Sequence, residues 1–202
     1  MHYCMNQIYF ATTNKGKVNS VSNALSKYGI ELVHYPLELP EPRSEDLREI
    51  AREKVFFAYE KIRKPCIALD SGFYIPSLNG FPKTFVNFAL ETIGIYGILK
   101  LVEDKPRDCE FKNCLAYLDE SLSEPVYFES NIDGSLSHSS RGEIQDYSWS
   151  RLFLVFVPRG TNKTLSEMTF EEYQNWRTQR YKDSFTTKFA EWISHTYCYA
   201  AR

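Results

Sequence analysis

Residues 10–17, FATTNKGK, restrict the fold of this chain more than any other segment. They follow the apolar residues Ile8 and Tyr9 and precede Val18 and Val21, whose spacing is helical. A strand is therefore predicted to pass through a tight polar turn into the N-terminus of a helix. Because the first N–H groups of a helix lack partners and its dipole is positive there, such a junction is typical of an anion site. An ordinary capped turn is the alternative interpretation.

The polar side chains of this turn are suited to phosphate. Thr12, Thr13 and Asn14 provide neutral donors, and Lys15 and Lys17 add positive charge. The whole chain has a formal net charge of only −2, so any anionic ligand must be held by such local groups. The same balance gives no support for broad attraction to nucleic acid or to a membrane surface, and we expect neither as a partner.

Length and composition predict one globular domain over residues 1–202. The hydrophobic share of 43% and the charged share of 25% are those of a soluble protein. No segment reaches the length of apolar sequence that a membrane-spanning helix needs. The five cysteines lack C-x-x-C spacing, which predicts reduced thiols in a cytoplasmic protein rather than a zinc site.

The order of the predicted elements indicates an α/β protein with a mixed sheet, because helices at both ends of the chain enclose a strand-rich middle. The predicted strands are 8–10, 30–35, 66–69, 109–118, 125–136 and a central strand at 152–157. The predicted helices are one that ends at Gly29, one from the cap Ser44 to Pro65, one over about 84–103 with Gly94 and Gly97 as candidate interruptions, and one from the capping box Thr169-x-x-Glu172 to about His195. Three prolines make 36–43 a stiff loop.

Three charged residues outside the turn are candidates for chemistry. Asp70 follows the apolar run 66–69 at the carboxyl end of a strand, where α/β proteins place catalytic groups; a turn-capping aspartate is the alternative. Glu41, held between two prolines, is suited to Mg²⁺ or is a solvated loop residue. Lys54 flanks the apolar face of its helix, unless it extends along the surface.

Together these groups form the minimum set for metal-assisted phosphoryl or nucleotidyl chemistry. The turn supplies phosphate donors, Glu41 and Asp70 supply carboxylates, and Lys54 supplies a further cation. The sequence lacks the glycine spacing of a Walker loop or of a dinucleotide-binding turn, which disfavours both of those folds.

The order of these motifs resembles the inosine triphosphate pyrophosphatase family, and its archaeal members in particular. The resemblance runs from Ile8 to about Ile193. Its motifs are Thr12-x-Asn14-x-x-Lys17, Leu39-Pro40-Glu41, Asp70-Ser71-Gly72-Phe73, and the segments 78–82, 92–94, 97–101 and 164–169.

This resemblance implies an elongated α/β protein with a mixed sheet flanked by helices, with two lobes and a nucleotide cleft between them, assembled as a homodimer. It also implies Mg²⁺-dependent hydrolysis of nucleoside triphosphates such as ITP and XTP to the monophosphate and pyrophosphate, which cleanses the nucleotide pool. Carried over by position, the catalytic residues are Glu41, Lys54 and Asp70, and the metal ligands are Glu41 and Asp70. The implied substrate-binding residues are Thr12, Thr13, Asn14, Lys17, Ser71, Gly72, Trp149 and Arg180.

Departures from the family pattern concentrate in two places. The acidic residue that usually precedes the aspartate of the Asp-Ser-Gly motif is Leu69 here. The base-recognition segment corresponds best to 147–151, with Ser150 in place of an aspartate, Tyr173 in place of a lysine, and 178–180 in place of Ser-His-Arg. The triphosphate half of the implied site is retained and the base-reading half is altered, so we expect weakened or redirected purine selectivity.

Several interpretations stay open at this point. Trp149 either stacks on a base or packs in the core, and Arg180 either contacts the nucleotide or lies on a helix surface. Two further functions compete with the enzyme. One is a nucleotide-binding protein of the same fold that has lost turnover, which Leu69 favours. The other is an enzyme with the same chemistry on a different nucleotide.

Overall fold

The structure, a computed structural model, describes residues 7–198. Its strands are β1 (Gln7–Ala11), β2 (Glu31–Tyr35), β3 (Cys66–Tyr74), β4 (Pro82–Lys83), β5 (Asp108–Leu118), β6 (Val126–Leu136) and β7 (Phe156–Pro158). Its α-helices are α1 (Lys15–Leu25), α2 (Leu47–Ile62), α3 (Val86–Thr92), α4 (Gly94–Leu101), α5 (Phe170–Gln179) and α6 (Phe185–Ile193). No helix within residues 7–198 is long and apolar enough to cross a membrane.

The strands form a seven-stranded mixed sheet, which confirms the predicted α/β class. The order is β2-β1-β3-β5-β6-β7, and β4 pairs with β3. β1 is parallel to both of its neighbours, since Tyr9 lies opposite Val33 on β2 and opposite Cys66 on β3. β4 is antiparallel to β3, and β7 is antiparallel to β6. Because parallel neighbours need a crossover, α1 connects β1 to β2, and α2 lies between β2 and β3 in the chain.

The chain folds into two compact units. The first comprises the described residues of Met1–Asp70, Asn113–Ser130 and Tyr181–Arg202, and the second comprises Ser71–Lys112 and Asn131–Arg180. Each has its own hydrophobic core. The core of the first includes Ile8, Phe10, Leu25, Ile67, Leu69, Tyr117 and Phe189. The core of the second includes Phe73, Ile98, Phe111, Phe153, Val155, Phe156 and Tyr173.

The first helix forms as its sequence predicts. Asn14 is its N-cap, and the Asn14 side chain accepts a hydrogen bond from the Lys17 N–H. The helix ends at Leu25 and continues as a 3₁₀ turn over Ser26–Tyr28. Gly29 then closes this segment in the left-handed region, with φ of 70°, which glycine adopts without a steric penalty.

The second helix starts later than predicted. Its N-cap is Asp46 rather than Ser44, because the Asp46 carboxylate accepts a hydrogen bond from the Arg48 N–H at 2.8 Å. Ser44 lies two residues before this N-cap. Its hydroxyl accepts a hydrogen bond from the Asp46 N–H at 3.0 Å and donates one to Glu49. Two capping residues in sequence therefore hold the end of the proline loop against α2.

Three other predicted elements are divided or displaced. The helix expected over 84–103 is interrupted at Gly94, whose φ is 65°, giving α3 and α4. The last helix is likewise two helices, since Ser184 caps a new one by accepting from the Thr186 N–H. The predicted central strand at 152–157 begins instead as a 3₁₀ turn, Arg151–Leu154, and only then becomes β7, at the end of the sheet order.

Candidate active site

The polar turn after β1 is built by its own side chains. Thr12 donates its N–H to the carbonyl of Tyr35 at 3.2 Å, which ties the turn to the end of β2. The Thr12 hydroxyl accepts from the Asn14 N–H at 3.1 Å, and Asn14 in turn caps α1. Thr13 is exposed. The turn is therefore a capped helix N-terminus of fixed geometry, as the alternative interpretation expects, and phosphate binding by its side chains stays a prediction.

Lys17 extends from the first turn of α1 to β3. Its ammonium donates to the backbone carbonyl of Leu69 at 3.2 Å. Burial lowers the pKa of Lys17, the charge of Lys54 lowers it further, and attraction to Asp70 and Glu41 opposes both effects. Lys17 thus shares its surroundings with the three charged residues predicted for chemistry.

Lys54, Asp70 and Glu41 meet in the first unit. Lys54, on α2, is only 5% exposed, and its Nζ lies 2.6 Å from Asp70 Oδ1 and 3.1 Å from Glu41 Oε2. Asp70 is 8% exposed, whereas the Glu41 side chain is largely in solvent. Desolvation lowers the pKa of Lys54, but the charges and hydrogen bonds of both carboxylates outweigh it, so the net shift is upward. Lys54 is therefore a buried ion-pair partner and not a surface lysine.

Asp70 does not cap a turn, contrary to the alternative considered from the sequence. It lies within β3, which continues through Ser71 and Gly72 to Tyr74. Gly72 is needed for packing, because a Cβ there would lie 2.7 Å from the Tyr74 ring and 2.9 Å from the Lys83 carbonyl oxygen. The predicted roles of Ser71 and Gly72 in substrate binding stay predictions.

Leu69 occupies the position where the resemblance implies an acid. Successive side chains of a strand point to opposite faces. The Leu69 side chain packs with the core of the first unit, while that of Asp70 pairs with Lys54. A second carboxylate at residue 69 would therefore have to enter an apolar core. The chain offers Lys17 only the backbone carbonyl of this residue.

A divalent metal fits the carboxylates only in part. Between residues 7 and 198, no group of three or more His, Cys, Asp or Glu side chains is arranged to hold an ion alone. Glu41 and Asp70 nevertheless both reach the ammonium of Lys54. Mg²⁺ usually takes one or two carboxylates and completes its shell with phosphate oxygens and water. The donor set therefore fits a metal that arrives with a polyphosphate, rather than a preformed cage.

The base-reading candidates lie in the second unit, where they take part in packing. The Trp149 ring lies 4.8 Å from that of Phe111 and 5.1 Å from that of Phe153. Ser150 caps the following 3₁₀ turn by accepting from the Leu152 N–H at 3.2 Å. Core packing is thus the role of Trp149 that these contacts support.

Tyr173 and Arg180 have local partners as well. Tyr173 is 4% exposed and stacks on Tyr147, with ring centroids 4.2 Å apart. Tyr147 donates its hydroxyl to the carbonyl of Met168 at 2.6 Å. Arg180, at the C-cap of α5, donates to the carbonyl of Asn131 at 2.6 Å. A tyrosine carries no positive charge, so this position provides no cation where the resemblance implies a lysine, and burial raises the pKa of Tyr173 and keeps its hydroxyl neutral.

Comparison with known proteins decides the family. The model of the Ham1 family matches residues 8–182. The chain belongs to the Ham1 family. The predicted resemblance to inosine triphosphate pyrophosphatases of archaeal type is confirmed by its relatives. A dITP/XTP pyrophosphatase of Methanopyrus kandleri is 35% identical over 194 residues, which are 94% of this chain and 97% of the relative. A dITP/XTP pyrophosphatase of Pyrococcus horikoshii is 34% identical, over 93% of this chain and 96% of the relative.

The Ham1 fold is also found among solved structures. A HAM1 protein from Coxiella burnetii superposes with a TM-score of 0.73 and covers 94% of this chain and 97% of its own length. Its sequence identity of 20% supports likeness of fold alone. The mixed sheet described above is therefore that of the Ham1 family.

Two features of this candidate site are not predicted by the sequence. One is the direct pairing of Lys54 with Asp70, for which the only signal was a lysine beside the apolar face of an amphipathic helix. The other is the Leu69 carbonyl, which accepts from Lys17. A backbone acceptor leaves no mark in a sequence, because every residue carries one.

Proposed function

We propose that this protein hydrolyses nucleoside triphosphates with non-standard purine bases to the monophosphate and pyrophosphate. The observation that carries the proposal is the meeting of Lys17, Glu41, Lys54 and Asp70, from four separate segments, beside the N-terminus of α1. Membership of the Ham1 family and relatives that are dITP/XTP pyrophosphatases support the choice of reaction and substrate.

The cations of this cluster would bind the triphosphate. Lys17 and Lys54 place two ammonium groups beside Asp70 and near the first turn of α1, where Lys54 is nearly buried and Lys17 is half-buried. Charge–charge attraction is stronger there than in bulk water. Such groups contribute most to rate when they neutralise charge that grows during the reaction. We infer that they stabilise the pyrophosphate as it leaves.

Asp70 is the residue best placed to act on the nucleophile. In the proposed step, a water oxygen forms a bond to the α-phosphorus, the bond from that phosphorus to the β-bridging oxygen breaks, and the proton of the water passes to a carboxylate or to solvent. Asp70 either orients this water or shares in holding a metal. Its position between β3 and Lys54 fixes the carboxylate for either role.

Mg²⁺ is the cofactor that we propose. Glu41 and Asp70 would hold it, and when bound it supplies positive charge against the leaving pyrophosphate. Phosphate oxygens would supply other ligands, which is consistent with a site of only two carboxylates. We also propose that the protein acts as a cytoplasmic homodimer on free nucleotides, and the buried free thiols Cys66, Cys109 and Cys114 suit a reducing compartment.

A second candidate is a protein that binds nucleotides without turning them over. The observation that favours it is Leu69, whose side chain lies in the apolar core where the family pattern has an acid. A third candidate keeps the chemistry but prefers another base. The packing of Trp149 and Tyr173 favours it, because the buried Tyr173 and the half-buried Trp149 both contact other rings in the part of the chain where the family pattern has base-reading groups.

A nucleotide panel separates these candidates. Pyrophosphate release is measured with Mg²⁺ on ITP, XTP, their deoxy forms and the common ribonucleoside triphosphates. We expect turnover of ITP and XTP to be faster than that of the common nucleotides, by a margin that the altered base-reading half narrows, with ¹⁸O from labelled water found in the monophosphate. Fast turnover of another nucleotide would support the third candidate. Binding without release of pyrophosphate would support the second and contradict the enzyme.

A further inference from the structure

The Lys54 ammonium occupies the place where the two carboxylates converge. It lies 2.6 Å from Asp70 Oδ1 and 3.1 Å from Glu41 Oε2, and its side chain is 6% exposed. Glu41 comes from the proline loop and Asp70 from β3, so Lys54 is the group that links these two segments. A phosphate-binding role alone does not require an ammonium in contact with both carboxylates.

The charges of this arrangement determine both its stability and its affinity for metal. A buried carboxylate without a counter-charge is strongly destabilising, so Asp70 needs a cation whenever the protein is folded. A divalent ion needs the same carboxylate oxygens. Two cations cannot use these oxygens at close range without mutual repulsion, which is large where water is excluded.

We propose that Lys54 is a resident counter-ion that holds Glu41 and Asp70 together in the free protein and competes with divalent metal for them. This inference rests on the proposed function. The phosphates of the substrate would offer the ammonium a new partner, and the metal would then gain the carboxylates. Lys54 is in this respect a positioning residue, and metal without nucleotide binds weakly.

The test uses the full chain and Mn²⁺ alone, without nucleotide. Free Mn²⁺ is titrated by electron paramagnetic resonance against the wild type, Lys54→Met, Lys54→Arg and Lys61→Met. Lys54→Met keeps an unbranched side chain only one heavy atom shorter, with similar helix propensity, and removes its charge. Lys61→Met is the matched control, because Lys61 is an exposed lysine of the same helix that lies over the Phe57 ring and not beside a carboxylate of the cluster.

We expect Lys54→Met to bind Mn²⁺ about tenfold more tightly than the wild type, a ratio that corresponds to about 1.4 kcal/mol. Lys54→Arg keeps the charge and should bind no more tightly than the wild type. Lys61→Met should match the wild type. The inference is wrong if Lys54→Met gains no affinity, or if Lys61→Met gains as much.

Thermal unfolding provides a second readout. Without metal, Lys54→Met should melt below the wild type, since Asp70 has lost its buried partner. Saturating Mn²⁺ should raise its melting temperature more than that of the wild type, because the ion replaces the missing charge. A variant that stays unfolded with Mn²⁺ present would contradict the inference, since the metal then fails to take the place of the ammonium.

The two proposals fail in different ways. If the wild type releases pyrophosphate but Mn²⁺ binds Lys54→Met no better, the counter-ion inference is wrong and the proposed function stands. If Mn²⁺ affinity rises in Lys54→Met but the wild type hydrolyses no nucleotide, the counter-ion inference stands and the proposed function is wrong.

Discussion

The two units of this molecule treat their interiors differently. Both pack aromatic rings, and in the first unit the rings of Tyr117 and Phe189 have centroids 5.8 Å apart. The first also encloses opposite charges, with Lys54 and Asp70 paired at 2.6 Å and both nearly buried. The second packs aromatic rings around Phe111, which lies 4.7 Å from Phe73 and 4.9 Å from Phe156. Buried charge is costly and is retained where chemistry needs it, whereas aromatic packing supplies stability directly.

The triphosphate-binding and base-reading residues predicted from the sequence lie in different units. The triphosphate-binding candidates lie in the first unit, and Lys17 and Lys54 there contact β3 or its carboxylate. The base-reading candidates lie in the second unit, and Trp149 and Tyr173 there contact other rings. We therefore expect substitutions in the charged cluster of the first unit to lower the rate, whether or not they also lower stability, and substitutions of the packed rings in the second unit to lower stability with little change in rate.

The largest effect should come from Asp70→Asn. It removes the carboxylate proposed to act at the α-phosphorus, and turnover should fall by about a thousandfold or more. It also leaves Lys54 buried with only the exposed Glu41 as a partner, so the free energy of unfolding should fall by about 3 kcal/mol. Pyrophosphate release and denaturant unfolding measure the two effects.

A second aspartate-to-asparagine substitution in the first unit is the control for Asp70→Asn. Asp46→Asn makes the same change at the N-cap of α2, where asparagine caps equally well, and should alter neither rate nor stability appreciably. If Asp70→Asn kept more than about a tenth of wild-type turnover, the catalytic role of this carboxylate would be refuted.

Lys17→Ala should have the next largest effect. The ammonium is proposed to meet charge that increases toward the transition state, so kcat should fall and KM should rise, with kcat/KM lowered about a hundredfold. Steady-state kinetics on the best substrate checks this, with Lys64→Ala, an exposed lysine beyond α2, as the control. A rise in KM with unchanged kcat would mean that Lys17 binds substrate and transition state equally.

Trp149→Ala tests whether this ring of the second unit serves packing rather than base binding. Loss of a ring packed on Phe111 and Phe153 should lower the free energy of unfolding by about 3 kcal/mol, at the low end for aromatic truncation because the residue is half-buried. KM should stay within about twofold of the wild type. Phe170→Ala, an exposed ring of the same unit, is the control for stability. A large rise in KM at unchanged stability would make Trp149 a base-binding residue.

The smallest predicted effect concerns a second interior carboxylate of the first unit. Asp119 is 4% exposed and accepts hydrogen bonds from the hydroxyls of Tyr117, Tyr197 and Ser121. Desolvation opposes ionisation, but these bonds outweigh it and hold the pKa of Asp119 below its ordinary 3.8.

Because the pKa of Asp119 is lowered in the folded protein, its ionised carboxylate stabilises the fold at pH values above its ordinary pKa. This stabilisation is lost as the pH falls through the lowered pKa. The wild type should therefore exceed Asp119→Asn in unfolding free energy at neutral pH, and the gap should narrow below pH 3.8. Urea titrations at several pH values measure this. A gap that does not change with pH would mean that hydrogen-bond geometry, not charge, is responsible.

Local signals explain which elements the sequence predicts correctly. Gly29 and the capping box of Thr169 and Glu172 act within a few residues, and both are found as predicted. Asn14, predicted as a phosphate donor, is found as the cap of α1. Alternation also predicts β5 and β6, since period-2 burial needs no knowledge of the neighbours.

The failures arise where one local signal competes with another or with a tertiary contact. The apolar run at 152–157 is compatible with a strand, yet the Ser150 cap turns its first half into a 3₁₀ segment. Asp70 ends an apolar run, yet β3 continues because Lys54 compensates the buried charge. That pairing joins residues sixteen positions apart, beyond any local pattern.

The decisive experiment locates a bound metal–nucleotide complex in the protein. A non-hydrolysable ITP analogue is added with Mn²⁺ to ¹⁵N-labelled wild-type protein, and the paramagnetic broadening of each amide signal is recorded. If the charged cluster binds the triphosphate, the strongest broadening is expected at residues 12–17, Glu41 and Asp70. Signals of these residues that stay sharp while others broaden would contradict it.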